Sequence, residues 1–379
     1  MNAYNLSPSH QKETKQVSKN TRHLTSTNSR NSPPRIMIVS DAWHPQVNGV
    51  VRTLSITASM LSKAGYQIEL VTPNRFQTTE VPFYPEIRLA HCSIRAIEEI
   101  VKRIKPHAIH IATEGPLGMI TRHFAVSNGI PFTTSYHTRF PEYLYHLLRI
   151  PPALTYSAVK WFHSASAQIM VATESVKKDL EKLGLKNIVL WTRGVNTKMF
   201  YPRLNKENVL PFPRPIFLNV GRISEEKNIE AFLKLDLPGT KVVGGDGPLL
   251  NFLKNKYPDV VFTGKKHGEE LASIYAASDV FVFPSKTDTF GNVSLEALAS
   301  GLPVAAYPVP GPIDVIGTNK VGFLNNDLQK GALDAYFAKS LGLISQDDCT
   351  CFVKENYTWT KSTKQFLSNL VTFNLIKTY

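Results

Sequence analysis

Pro284-Ser285-Lys286-Thr287-Asp288-Thr289-Phe290-Gly291-Asn292-Val293-Ser294-Leu295-Glu296-Ala297-Leu298-Ala299-Ser300-Gly301-Leu302-Pro303-Val304 is the stretch that decides the fold. Before it, the apolar run Val280-Phe281-Val282-Phe283 reads as a buried parallel strand ended by Pro284. Val293, Leu295, Ala297, Leu298 and Ala299 suit a short helix, which Gly301-Leu302-Pro303 stops before the next strand, Val304-Ala305-Ala306. The unit is strand–loop–helix–strand. Its loop lies at the carboxyl end of a strand, where open α/β sheets bind ligands. A helix starting near Gly291-Asn292 leaves backbone N–H groups for an anion or a sugar oxygen. Two acceptor-only carboxylates bracket that start: Asp288 in the loop and Glu296 about one turn inside the helix. On their own they are equally well read as a helix cap and a solvated face residue.

Outward from this unit, the second half repeats the pattern. Ile216–Val220 is a strand running into Gly221-Arg222-Ile223-Ser224-Glu225-Glu226-Lys227. Arg222 and Lys227 in one strand-to-helix loop suit a diphosphate. Lys241-Val242-Val243-Gly244 runs into the tight turn Gly245-Asp246-Gly247-Pro248, and Val260–Gly264 is a further strand. Residues 269–277 form a helix, and Gly311–Ile316 adds another loop and helix start.

The first half alternates in the same way. Arg35–Ser40 is a strand ending in Asp41-Ala42-Trp43-His44-Pro45-Gln46-Val47-Asn48-Gly49, with a helix after it. Gly49 at that helix entry admits a ligand close to the backbone, although no G-x-G-x-x-G fingerprint is present. Strands follow at Gln67–Val71, Ala108–Ile111, Pro131–Ser135 and Gln168–Ala172, with helices at 94–104, through Val126, and at 175–183, after which Lys186–Trp191 leads into Thr192-Arg193-Gly194-Val195-Asn196. Alternation of this kind gives a doubly wound parallel sheet. His137 follows a strand, at the ligand edge of that sheet, and is a candidate site residue or a structural one. The run Phe140–Ile150, edged by Arg139 and Arg149, reads either as a core helix or as a membrane-interface segment.

Length and composition set the outer bounds. The 379 residues suffice for two domains of ordinary size, and 42% are hydrophobic. No apolar run reaches the ~18 residues of a spanning helix, and the N-terminus carries no apolar core of a signal peptide. Three cysteines (Cys92, Cys349, Cys351) fit a reducing compartment, and no His/Cys cluster predicts a metal. Residues 1–34, polar and ending in Pro33-Pro34, are expected to be a disordered basic tail. The net charge of +13 is lopsided. Residues 1–195 hold 23 basic against 12 acidic side chains, a net of +11, and the remainder nets +2. The first half is therefore expected to face something acidic. Without a zinc-finger, RNP-like or helix-turn-helix pattern, nucleic acid is not the expected partner.

As a set, Gly49, His137, Gly194-Val195-Asn196, Gly221-Arg222 with Lys227, Gly245-Asp246-Gly247-Pro248 and Asp288…Glu296 resemble glycosyltransferase family 4 over roughly residues 35–370. The seven residues between Asp288 and Glu296 match that family's acid–x7–acid motif, whose first acid is usually Glu rather than Asp. The wording Pro45–Gly49 and Thr287–Gly291 is similar to a branch of mannosyl- and glucuronosyl-transferases acting on diacylglycerol-type lipids, which usually has Asp where this chain has Asn196. The resemblance implies the GT-B fold, two Rossmann-like doubly wound domains facing across a cleft. The implied domains are 35–196 for the acceptor, 197–355 for the nucleotide sugar, and a 356–379 helix crossing back to the first.

It further implies a retaining, metal-independent hexosyltransferase. Mannose, glucose or glucuronic acid would move from a UDP- or GDP-linked sugar to a membrane lipid such as diacylglycerol. No cofactor is needed beyond that co-substrate. The implied catalytic residues are His137, Arg222, Lys227 and Asp288. Donor binding is implied for Gly49, Gly221, Arg222, Lys227, Gly245, Asp246, Gly247, Asp288, Phe290, Gly291, Asn292 and Glu296, the first acid meeting the sugar and the second the ribose. With the positive first half, the expected setting is cytoplasmic, peripherally attached to the anionic inner face of the cell membrane. A polysaccharide or soluble acceptor is the alternative, and a catalytically silent nucleotide-sugar-binding protein is the alternative of another class. A glycoside hydrolase is disfavoured, because Arg222 and Lys227 would then have no task.

Overall fold

The computed structural model describes residues 33–373 apart from 47, 82–83, 138–150, 204–207 and 289. The tail of 1–34, save its last two residues, and the run Phe140–Ile150 with Arg139 and Arg149 lie outside the described residues.

Two six-stranded sheets carry the chain. The first uses β1 (Arg35–Val39), β2 (Gln67–Val71), β5 (Ala108–Ile111), β6 (Thr133–Tyr136), β7 (Gln168–Val171) and β8 (Ile188–Leu190) in the order β2-β1-β5-β6-β7-β8. The second uses β9 (Ile216–Val220), β10 (Thr240–Gly244), β11 (Val261–Gly264), β12 (Val280–Phe283), β13 (Val304–Ala306) and β14 (Gly322–Leu324) in the order β11-β10-β9-β12-β13-β14. Every pairing in both sheets is parallel. This is the GT-B architecture.

Parallel strands covered on both faces must be apolar at odd and even positions alike. In β1, Ile36 and Ile38 pack with Trp191 and Phe366 on one face, whereas Met37 and Val39 pack with Ile97 and Phe124 on the other. In β12, Phe281 and Phe283 join one cluster, and Val280 and Val282 join another. That two-sided burial is why both runs read as continuous apolar segments.

The helix Trp359–Asn369 lies against the first sheet's half, where Phe366 shares a cluster with Ile36 and Ile38. Thr192 N–H donates to Gln365 Oε1 at 3.0 Å, Ser362 Oγ donates to the Thr192 carbonyl at 2.6 Å, and Val195 bridges Thr358. An element that the sequence reading leaves unassigned is the antiparallel hairpin of β3 (Gln77–Val81) and β4 (Tyr84–His91), set between β2 and the helix Ile94–Ile104. Its strands are largely polar and only partly covered, so no apolar periodicity announces them.

Candidate active site

Three strand-end loops of the second sheet converge. Gly221 N–H donates to the Gly244 carbonyl at 3.0 Å, and Ile223 N–H donates to the Asp246 carbonyl at 2.9 Å. These bonds zip the β9 and β10 loops together. Gly245 has φ +146°, and a Cβ there would sit 1.9 Å from the Gly221 oxygen, so only glycine fits. Asp246 is exposed and its Oδ1 accepts from Gly247 N–H at 2.7 Å. Lys227 ends the short 3-10 turn Glu225–Lys227, and its Nζ donates to Asp288 Oδ1 at 2.6 Å. Arg222 instead reaches toward the first half, with one guanidinium nitrogen 3.9 Å from Glu86 Oε1 on β4. The two cations therefore serve different carboxylates in this structure.

The helix Asn292–Ala299 starts at Gly291, which adopts φ +79° and supplies no side-chain cap. Its first amides thus keep the anion-binding character of an uncapped helix start. Asn292 Oδ1 is buried without a hydrogen-bond partner among the described residues. Phe290 is buried edge-on against Tyr357, centroids 5.9 Å apart, which anchors the loop.

Glu296 is 2% exposed, and its two oxygens are taken by residues far away in sequence. Oε1 accepts from Arg52, on the helix Gly49–Lys63 of the first half, and Oε2 accepts from Tyr275 OH at 3.1 Å. Burial, and then the Glu296 carboxylate, push the Tyr275 phenol well above its ordinary range. The helix Gly49–Lys63 is capped by Asn48, whose Oδ1 accepts from Val50 and Val51 N–H at 3.0 and 2.9 Å. A Cβ on Gly49 would stand 3.2 Å from Asn292 Nδ2. Two helix starts, one from each half, thus meet across the cleft.

The first sheet's edge is built differently. Asp41, just past β1, caps the helix Pro116–Ser127 by accepting from Leu117 N–H at 2.8 Å, Gly118 N–H at 3.2 Å and Thr113 Oγ1 at 2.9 Å. Burial raises its carboxyl above the ordinary range against the pull of those bonds. His137 follows β6, and its Nδ1 lies 2.8 Å from a guanidinium nitrogen of Arg193. His163 sits between Thr134 Oγ1 at 2.8 Å and Glu114 Oε1 at 3.2 Å. His110 sits between Thr133 Oγ1 at 2.9 Å and Ser135 Oγ at 2.6 Å. Burial, helped by Arg193, holds His137 well below the usual imidazole value and pushes His110 down to about 3. Beside the first loop, a cavity of about 460 Å³ is lined by His44, Pro45, Pro73, Asn74, Phe76, Thr78 and Arg88.

The sequence model of the family described as Glycosyltransferase Family 4 matches residues 47–199, and that described as Glycosyl transferases group 1 matches residues 200–341. The chain belongs to glycosyltransferase family 4. A GDP-mannose-dependent alpha-mannosyltransferase of Mycobacterium tuberculosis is 28% identical over 318 residues, which are 76% of this chain and 83% of that protein. An alpha-monoglucosyldiacylglycerol synthase of Streptococcus pneumoniae is 29% identical over 346 residues, 80% of this chain and 78% of that one. Among solved structures, sucrose-phosphate synthase from Thermosynechococcus elongatus shares the fold with a TM-score of 0.73 at 20% identity, over 88% of this chain and 97% of that one.

Within this glycosyltransferase, the structure gathers Gly49, Asn292 and Glu296 at one point, and Lys227 with Asp288 at another. It also zips Gly221 to the Gly245–Gly247 turn. His137 stands at the edge of the other sheet, among residues of the first half. Arg52, Tyr275, Glu86 and Arg193 are the participants that sequence reading missed. Only Arg193 carried a local signal, being adjacent to the Gly194-Val195-Asn196 turn.

Proposed function

We propose that this glycosyltransferase moves a hexose (mannose, glucose or glucuronic acid) from a UDP- or GDP-linked donor to a membrane lipid such as diacylglycerol, with retention and without a metal. The observation that carries the reading is the meeting of two helix starts from opposite halves, with Glu296 between them. A nucleoside diphosphate leaving group gains negative charge as its bond to the sugar breaks. Preorganised N–H groups near Gly49 and Asn292, with Arg222 and Lys227, are suited to stabilise that charge. Glu296 takes the ribose hydroxyls when Arg52 yields them, and Asp288 takes the sugar hydroxyls when Lys227 turns to phosphate.

Retention follows from front-face attack. The acceptor oxygen bonds to the anomeric carbon on the side the diphosphate leaves, and the acceptor proton passes to the departing phosphate oxygen. No protein nucleophile is then required, and His137 serves to position the donor sugar. The cavity beside His44 and Arg88 supports acceptor binding in the first half. No helix among the described residues is long and apolar enough to cross a membrane. The helix Pro152–Ser164, directly after the run Phe140–Ile150, exposes Leu154 and Trp161 to 67% and 50%, which supports contact with a bilayer surface.

The test is a thermal-shift screen of UDP- and GDP-sugars, because a ligand bound only by the native state raises its stability. The stabilising sugar, labelled, is then supplied with diacylglycerol in phosphatidylglycerol vesicles. Label extracted with the lipid, insensitive to a chelator, is the expected result. Donor cleavage without labelled lipid overturns the lipid acceptor, and no cleavage of any donor overturns the enzyme reading. Vesicle co-sedimentation at low salt that fades at high salt is expected of the +11 half, and its absence removes the membrane contact.

A further inference from the structure

Among the described residues, Arg193 is a buried cation without a carboxylate partner. Its side chain belongs to the loop after β8, is 5% exposed, and forms no ion pair among the described residues. One guanidinium nitrogen donates to the Trp191 carbonyl at 2.7 Å, and the guanidinium lies 4.8 Å from the centroid of the Trp191 ring. The other terminal nitrogen meets His137 Nδ1 at 2.8 Å. Burial lowers its pKa to about 10, so it stays charged at neutral pH. A buried cation held this rigidly costs desolvation, and stability alone would be served as well by an apolar side chain. Its geometry is better explained by what it does to His137.

We infer that Arg193 is a positioning residue that fixes His137 as the neutral tautomer with its proton on Nε2, so that His137 acts in sugar transfer as a hydrogen-bond donor and not as a base. A guanidinium only donates. Nδ1 at 2.8 Å must therefore present its lone pair, and the remaining ring proton lies on Nε2. The surroundings reinforce the neutral form. His110 from β5 and His163 from the helix Pro152–Ser164 face the same ring, together with Arg193. His163 Nε2 in turn meets the Glu114 carboxylate at 3.2 Å. Trp191 closes one side, with ring centroids 5.5 Å apart. An imidazolium here would sit against a fixed positive charge, and a base at Nδ1 would have to displace the guanidinium. The inference rests on the assignment of His137 to the donor sugar for its catalytic part only. The tautomer itself is a property of the free protein.

Histidine-labelled full-length protein is examined by nitrogen NMR, with His137 assigned by difference from His137→Asn. The expected signature is an unprotonated Nδ1 and a protonated Nε2, unchanged from about pH 8 to about 5.5, across the ordinary histidine value of ~6.5. A proton on Nδ1, or a titration near the ordinary value, overturns the proposal whether or not the protein is a transferase. Turnover then tests the consequence. Arg193→Met is expected to lower kcat by at least ~10-fold while leaving the Kd for free nucleoside diphosphate unchanged, the cost of a misplaced hydrogen bond. Arg193→Gln, which restores a neutral N–H donor, is expected to recover most of that loss if the hydrogen bond and not the charge matters. Equal losses in both variants, with unchanged melting temperature, would overturn the tautomer role. Absence of transfer in the wild type would overturn the functional reading and leave the NMR result standing.

Discussion

The two halves handle charge in opposite ways at equivalent edges of similar sheets. At the second half's edge, charge meets charge: Lys227 on Asp288, Arg222 toward Glu86 of the first half, and Arg52 of the first half on the buried Glu296. In the first half, His110 and His163 sit between hydroxyl and carboxylate partners, His110 and His137 are held below the usual imidazole value, and Arg193 is held by a carbonyl and a ring nitrogen. A partly exposed ion pair contributes only about 0–1 kcal/mol, so a phosphate or a hydroxyl can replace one partner at little cost. A buried hydrogen-bonded network is stronger and expensive to disturb. One edge is thus built to exchange partners, and the other to hold them still.

The largest expected effect is on the exchanging edge. Lys227→Ala and Arg222→Ala should each reduce transfer by at least ~100-fold, since a lost oxyanion-type contact costs roughly 2.7–4 kcal/mol. Steady-state turnover with saturating donor checks this, and near-normal rates in both would break the comparison. The next effect falls on the rigid edge. His110 is lowered to about 3 in the folded protein. The unfolded chain takes up that proton below the ordinary ~6.5, so stability present at neutral pH is lost as pH falls through this window, at about 1.4 kcal/mol per unit. A melting temperature flat from neutrality down to about pH 5 would show that His110 is not held neutral.

A smaller effect separates the two acids. Glu296→Gln should weaken binding of the free nucleoside diphosphate by roughly tenfold, the scale of a charged hydrogen bond. Asp288→Asn should leave that binding nearly intact and instead blur discrimination among donor sugars. Calorimetry decides it, and equal losses would mean that the roles are wrongly divided. The smallest effect belongs to Arg52→Ala. Freed from its cross-cleft partner, Glu296 should bind the nucleoside diphosphate a few-fold more tightly, consistent with a pair worth about 1 kcal/mol or less at the solvent-facing Arg52. Weaker binding would assign Arg52 to the nucleotide itself.

Much of the exchanging edge was legible in sequence because its elements are local. Asp288, Gly291, Asn292 and Glu296 lie within one strand–loop–helix unit, and Gly245 in the Gly245–Gly247 turn takes a φ of +146° that side-chain-bearing residues rarely adopt. Periodicity also located the strands β1 and β12, because burial on both faces leaves a continuous apolar run. The hairpin β3–β4 escaped, being short, largely polar and partly exposed, yet it supplies Glu86 to Arg222.

By itself, the sequence determined the alternation of strands and helices and the residue types at each loop, since these depend on side-chain periodicity and on backbone conformations that favour glycine; the GT-B class was implied by the resemblance of its motifs to glycosyltransferase family 4. Only the tertiary structure decided which charges meet. Arg52 and Glu296 are 244 positions apart, and Arg193 and His137 are 56 apart. No local pattern encodes such distances. Whether a carboxylate faces a cation, a phenol or water is set by the packing of two sheets against their helices, and so is whether a histidine carries its proton on one nitrogen or the other.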